Sequence, residues 1–99
     1  MFELYQLKQL LAVAACGTLS NAAEQLHISQ PALSRSMQRL EAELQVSLFT
    51  RQKNKIELNE NGRMAVDYAR KIMEQSQDMI SRIQAFDRSQ RTILVGACA

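Results

Sequence analysis

Leu4, Leu7, Leu10, Leu11, Ala14 and Ala15 recur at steps of three and four, the stripe of an amphipathic helix. The spacing predicts a helix over 3–16, stopped at Gly17, a residue suited to the left-handed position after a helix end. Thr18 and Ser20 are candidate N-caps for a short second helix over 21–26. Its Ala22-Ala23 pair offers small side chains where two helices approach closely. His27-Ile28 is a connection of a few residues. Ser29 then caps a third helix over 30–44, with Pro31 in the first turn, where its missing N–H costs little. Leu33, Met37, Leu40 and Leu44 form the buried stripe of that helix. Two short helices joined by a tight turn, after a longer supporting helix, make a helix-turn-helix pattern.

The remaining segments extend it. Residues 48–51 and 56–58 are β-prone and flank a polar, basic turn, so they predict a small hairpin, a wing on the three helices. Asn59 caps a long segment in which Ala65, Ala69, Ile72, Ser76, Met79, Ile83 and Phe86 alternate steps of four and three. Val66, Met73 and Ile80 widen this heptad-like seam. Over roughly 28 residues the helix would extend on the order of 40 Å. So long a helix buries its stripe against a partner, which points to dimerisation through Ala65, Ala69, Ile72, Met79, Ile83 and Phe86. A helix folded back on its own domain would carry the same stripe. Residues 91–99, with Ile93-Leu94-Val95 before Gly96, read as the first strand of a parallel α/β sheet. The expected fold is mainly α: a winged helix-turn-helix of three helices plus a two-stranded wing, followed by a long dimerisation helix. Its divisions are 1–58, 59–90, and 91–99 as the start of a truncated further domain.

Composition agrees with this outline and excludes several classes. A chain of 99 residues with 46% hydrophobic content holds one small domain or a domain with an appendage. One Pro and three Gly favour helices over a turn-rich β design. The net charge of +2 is nearly neutral. Residues 35–55 are more basic, with Arg35, Arg39, Arg51, Lys53 and Lys55 against Glu41 and Glu43, a net of +3. Cys16 and Cys98 lie near opposite ends, and with the single His27 they cannot close a four-ligand zinc site. No cofactor or metal is expected. Residues 10–16 look like the end of a lipoprotein signal, but Glu3, Lys8 and Gln9 interrupt the apolar run that such a signal needs. No run approaches the ~18 apolar residues of a membrane span. A cytoplasmic protein without membrane contact is expected.

The third helix carries the most specific chemistry. Gln30, Ser34 and Gln38 step by four along the face beside its buried stripe, with Pro31 and Arg35 further round. Gln pairs bidentately with adenine and Arg with guanine; Ser donates or accepts, and Pro meets a thymine methyl. A helix offering its first turns to base edges is how helix-turn-helix proteins dock in the major groove. An ordinary solvated helix face has similar polarity, and the pattern alone leaves both readings open. Lys53 and Lys55 at the hairpin tip suit phosphates or a minor groove, although tip lysines also keep strand edges soluble.

The order of elements and the residues themselves resemble the N-terminal part of LysR-type transcriptional regulators. The resemblance runs through Ala22-Ala23, Ser29-Gln30-Pro31-Ala32, Ser34-Arg35, Leu40-Glu41, Leu48-Phe49-Thr50-Arg51 and Leu58-Asn59-Glu60-Asn61-Gly62. It covers about Leu4 to Ala99. It implies a winged helix-turn-helix on double-stranded operator DNA, with Gln30, Pro31, Ser34 and Arg35 facing the major groove; Gln38 continues that face. Ser20 and Ser29 would lie near backbone phosphates and Arg51 near the wing base. It further implies a homodimer through the linker helix, a tetramer for the full-length protein, and a small-molecule effector bound only by a C-terminal domain lacking here. Gln45 departs from the family's usual Gly after the third helix, which predicts a strained or differently capped helix end. Asn59 replaces the usual Thr but keeps the capping chemistry, and Asn54 leaves Lys53 and Lys55 as the wing cations.

The leading function is thus sequence-specific DNA binding and dimerisation in a bacterial regulator. A winged-helix protein-interaction module is the alternative. An enzyme is not expected, because His27 stands alone and no carboxylate cluster or glycine-rich phosphate loop accompanies it.

Overall fold

Short polar side chains begin each later helix, and backbone in the left-handed region ends each of the first three. The computed structural model describes the backbone of residues 1–52 and 55–98 and the side chains of 1–50 and 56–90. Helix α1 spans Leu4–Cys16, α2 Leu19–Leu26 and α3 Gln30–Leu44. Strands β1 (Phe49–Gln52) and β2 (Lys55–Leu58) pair antiparallel, with Phe49 opposite Leu58 and Arg51 opposite Ile56. Helix α4 spans Glu60–Cys98.

Thr18 accepts the Asn21 N–H at 3.1 Å, Ser29 the Ala32 N–H at 3.2 Å and Asn59 the Gly62 N–H at 2.8 Å, which satisfies donors that a helix start leaves open. With Thr18 as the cap, α2 begins two residues before the expected position, and Ser20 lies inside its first turn. Gly17 (φ 79°), His27 (φ 59°) and Gln45 (φ 60°) end α1, α2 and α3. Gln45 therefore adopts the left-handed conformation that favours glycine. Its N–H donates to the Ala42 carbonyl and the next N–H, of Val46, to that of Glu41. These bonds hold an L side chain in a conformation costing roughly 1–2 kcal/mol.

The core lies where α1 meets the other helices. Leu7, Leu10 and Val13 pack with Ala22 and Ala23, with Leu33, Met37 and Leu40, and with Leu48, Phe49, Val66 and Ala69. Leu33, Met37 and Leu40 are buried as their spacing predicts, and Leu44 is half-buried.

Two expectations need correction. The stripe of α4 is divided between two environments: Val66 and Ala69 are buried in the core, while Ala65, Ile72 and Met73 are half-buried against it. Those turns close the domain on α1, so Ala69 is not available to a partner, and Ala65 and Ile72 are largely used. A heptad pattern records an apolar neighbour, not which chain supplies it. Second, the strand expected at 91–99 is helical through Cys98. A strand satisfies its backbone groups only beside another strand, whereas a helix closes its own hydrogen bonds. The result is elongated, 68 × 26 × 20 Å.

A junction at Ser47–Leu48 joins α3, the wing and α4. The Leu48 N–H donates to the Glu41 carboxylate at 2.8 Å, and the Leu48 carbonyl accepts the Asn59 N–H at 3.0 Å. The Ser47 carbonyl accepts from the side-chain amides of both Asn59 (2.9 Å) and Asn61 (3.2 Å). Gly62 lies directly above: a Cβ there would stand 2.2 Å from the Leu48 carbonyl oxygen and 2.8 Å from the Leu58 side chain.

Helix propensity alone would make Gly62→Ala stabilising by up to about 1 kcal/mol. The clash with backbone reverses the sign, and a loss of roughly 1–3 kcal/mol is expected in urea denaturation. Gln45→Gly is expected to act the other way, raising stability by about 1 kcal/mol as the left-handed strain is relieved.

Candidate nucleic-acid interface

The face of α3 opposite its leucines is presented by a polar contact that the apolar pattern did not reveal. Gln9 of α1 is only 4% exposed, and its Oε1 accepts a hydrogen bond from the Ser36 hydroxyl. This pair docks α3 on α1 at a buried point where an unmatched amide would cost about 1–3 kcal/mol. In the sequence Gln9 reads as an interruption of an apolar run. The available signal was its place next to Leu10, on the side of α1 that becomes buried.

With α3 so held, Ser29, Gln30, Pro31, Arg35 and Gln38 are exposed and Ser34 is half-buried. These residues share the outer side of α3 and the turn that leads into it, as their spacing predicts. Arg39 is exposed as well, one turn beyond Arg35. Its spacing of four from Arg35 is the sequence signal that makes it a neighbour on that face. Among the described residues neither arginine joins an ion pair within the chain, so both guanidinium groups remain available to an anion.

Ser20, in the first turn of α2, is brought to the start of α3. Its hydroxyl donates to Gln30 Oε1 at 2.9 Å. Ser29 uses its oxygen as the α3 cap. His27 ends α2 with its N–H donating to Ala23 and Glu24 carbonyls, and the Ile28 N–H also reaches Ala23. The turn between the two helices is thus built by backbone, with the His27 side chain exposed.

The wing lies after α3, its base fixed by the Ser47–Leu48 junction. Arg51 and Lys55 occupy β1 and β2 by backbone, but their side chains lie outside the described residues, as does Lys53 altogether. Further out, Met79, Ile80, Ile83 and Phe86 on α4 are 56%, 43%, 59% and 64% exposed, an apolar line beyond the reach of the core. Asp78 and Arg82 form an ion pair beside it at 2.8 Å. Among the described residues no group of three His, Cys, Asp or Glu side chains is placed to hold a metal ion, and no helix is long and apolar enough to cross a membrane.

The sequence profile of the bacterial regulatory helix-turn-helix proteins of the lysR family matches residues 4–63. A probable RuBisCO transcriptional regulator of Synechocystis sp. is 39% identical over 97 residues, 97% of this chain and 28% of the relative. The HTH-type transcriptional regulator TcbR of Pseudomonas sp. is 46% identical over 72 residues, 73% of this chain and 24% of the relative. The chain therefore spans less than a third of the length of these relatives. Among solved structures, the CbnR DNA-binding domain in complex with DNA superposes with a TM-score of 0.82 at 42% identity, covering 85% of this chain and 97% of that one. The BenM DNA-binding domain on benA site 1 DNA gives 0.82 at 32% identity, covering 86% of this chain and 99% of that one.

Proposed function

The chain belongs to the LysR family of bacterial regulatory helix-turn-helix proteins, and from that premise we propose that it is the sequence-specific DNA-binding and dimerisation segment of a transcriptional regulator. The observation that carries the reading is the exposed face of α3. Its Gln30, Pro31, Ser34, Arg35 and Gln38 lie on a helix docked by Gln9 and Ser36, and two similar chains of known structure hold DNA.

On this reading α3 enters the major groove with its first turns against base edges. Gln30, Ser34, Arg35 and Gln38 read those edges, and Pro31 supplies apolar contact. Ser29 and Arg39 lie toward the backbone. Arg51, Lys53 and Lys55 carry the wing to phosphates or to the adjoining minor groove. Residues 1–58 form the DNA-binding unit, and α4 through residue 90 joins two copies along Met79, Ile80, Ile83 and Phe86. The exposure of that line supports pairing, because an isolated helix gains nothing from presenting four large apolar side chains to water. In the whole regulator, a further domain binds a small-molecule effector and the subunits assemble as tetramers. The segment is cytoplasmic and performs no catalysis. A protein-interaction role for the same face has no observation of its own in its favour.

Selecting bound sequences from a random DNA pool yields the operator, and anisotropy titrations then compare it with random DNA across salt concentrations. Affinity is expected to fall steeply with salt on both, with the operator tighter throughout. Equal affinity at every salt concentration would exclude sequence-specific reading. Arg35→Ala should lose roughly 1–3 kcal/mol on the operator and much less on random DNA. Separately, Ile83→Asp should weaken self-association by at least about tenfold in sedimentation, because it leaves a charge in an apolar seam. A wild-type chain that sediments as a monomer at micromolar concentration would remove the dimer from the proposal.

A further inference from the structure

Arg63 stands in the first turn of α4 with its side chain exposed, and among the described residues that side chain joins no ion pair or hydrogen bond. Cations further along the helix are engaged: Arg70 is 3.9 Å from Asp67, Lys71 lies 5.1 Å from the centre of the Tyr68 ring, and Arg82 is 2.8 Å from Asp78. Arg63 instead borders a groove of about 590 Å³, wide enough for a phosphodiester group. Gly17 and Thr18, at the start of α2, line it on one side, and Ile56 and Glu57 of β2 on the other. Glu57 brings a carboxylate to the groove, but no ion pair joins it to Arg63. The guanidinium therefore keeps its charge and all its N–H donors.

The position of the groove decides what it meets. Ser20, two residues after Thr18, lies 2.9 Å from Gln30 at the start of α3. The order across the surface is thus α3, the start of α2, the groove and β2. On the DNA-binding reading α3 lies in the major groove and the wing at the adjoining minor groove. One sugar–phosphate strand separates two adjoining grooves of a duplex, so that strand passes between α3 and the wing, where Arg63 stands. We infer that Arg63 is a phosphate-binding residue, whose guanidinium takes a backbone phosphate of that strand. The inference rests on the DNA-binding reading above and deepens it. Two parallel N–H donors of arginine match two phosphate oxygens. The contact carries no sequence information. It fixes the start of α4 to DNA, beside Gly62, where the helix already abuts the Leu48 carbonyl.

Anisotropy titrations of the 99-residue chain on operator and random DNA over a range of salt, with four variants, test this. Arg63→Gln should weaken binding about five- to tenfold at moderate salt, equally on both DNAs, with a salt slope smaller by about one per bound copy. Arg63→Lys keeps the charge and should keep the slope. Arg70→Gln removes the same charge about two turns along α4, and should leave the slope unchanged and the affinity within about twofold. Glu57→Gln removes the carboxylate from the groove and should tighten binding to both DNAs. An unchanged slope for Arg63→Gln, an equal loss for Arg70→Gln, a loss confined to the operator, or a Glu57→Gln chain that binds no more tightly would each overturn the inference. Arg63→Gln should also unfold in urea at the wild-type midpoint; a lower midpoint would make the residue structural and overturn it as well. A wild-type chain that binds neither DNA would instead defeat the DNA-reading proposal itself, and the wild-type titration tells the two failures apart.

Discussion

The Ser47–Leu48 peptide is the point on which the three working parts of the chain depend. Glu41 near the end of α3 takes its N–H, Asn59 at the start of α4 donates to the Leu48 carbonyl, and Asn59 and Asn61 both donate to the Ser47 carbonyl. An outward-reading helix, a wing and a long helix are thereby referred to one another through two consecutive peptide groups. Hydrogen bonds to a charged carboxylate are among the stronger ones, at about 1.5–3 kcal/mol. Glu41 is therefore a better anchor than a neutral side chain would be. The approach of α4 is close enough that only glycine fits at position 62. The angle at which α4 leaves the domain follows from backbone contact more than from side-chain packing.

That exit angle explains why one apolar stripe serves two purposes. For its first turns α4 lies on α1 and spends its small residues there, with Val66 and Ala69 buried. Beyond Met73 the domain ends but the helix continues, and Met79, Ile80, Ile83 and Phe86 are left uncovered. Residue size follows the division. Alanines and a valine allow close approach of α4 to the domain, and larger side chains take over beyond it, where on the proposed reading a partner helix is met.

Much of this was legible in the order of residues. The caps Thr18, Ser29 and Asn59, the stripe of α3 and the two strands occur where short polar groups and apolar spacing placed them, because those signals act locally. The face of α3 was legible for the same reason. What the sequence withheld is nonlocal. Gln9 looks like a flaw in an apolar run until Ser36, 27 residues later, supplies its donor. Ser20 resembles a cap or a phosphate contact until the turn at His27 delivers Gln30 to it. Ala69 carries the right period for a partner seam, and only the fold shows that α1 already covers it. Residues 91–98 have the composition of a strand, yet a strand needs a neighbour, and the backbone closes into helix instead.

The near-neutral charge takes on a meaning once the groups are in place. Phosphate contacts supply affinity without sequence, and base-edge contacts supply sequence with comparatively little charge. On the proposed reading the two tasks fall to different elements: Arg39 and the basic wing for phosphates, and the amide and hydroxyl groups of α3 for bases. Arg35 alone on that helix face adds charge to recognition. Uncharged donors lose little on leaving water only if their geometry is right, so their precision must come from support behind them. Gln9 and Ser36 set the position of the helix, and Ser20 donates to Gln30. On the proposed reading, a recognition face with one cation is selective because its polar groups are held before they meet DNA, by residues placed behind them.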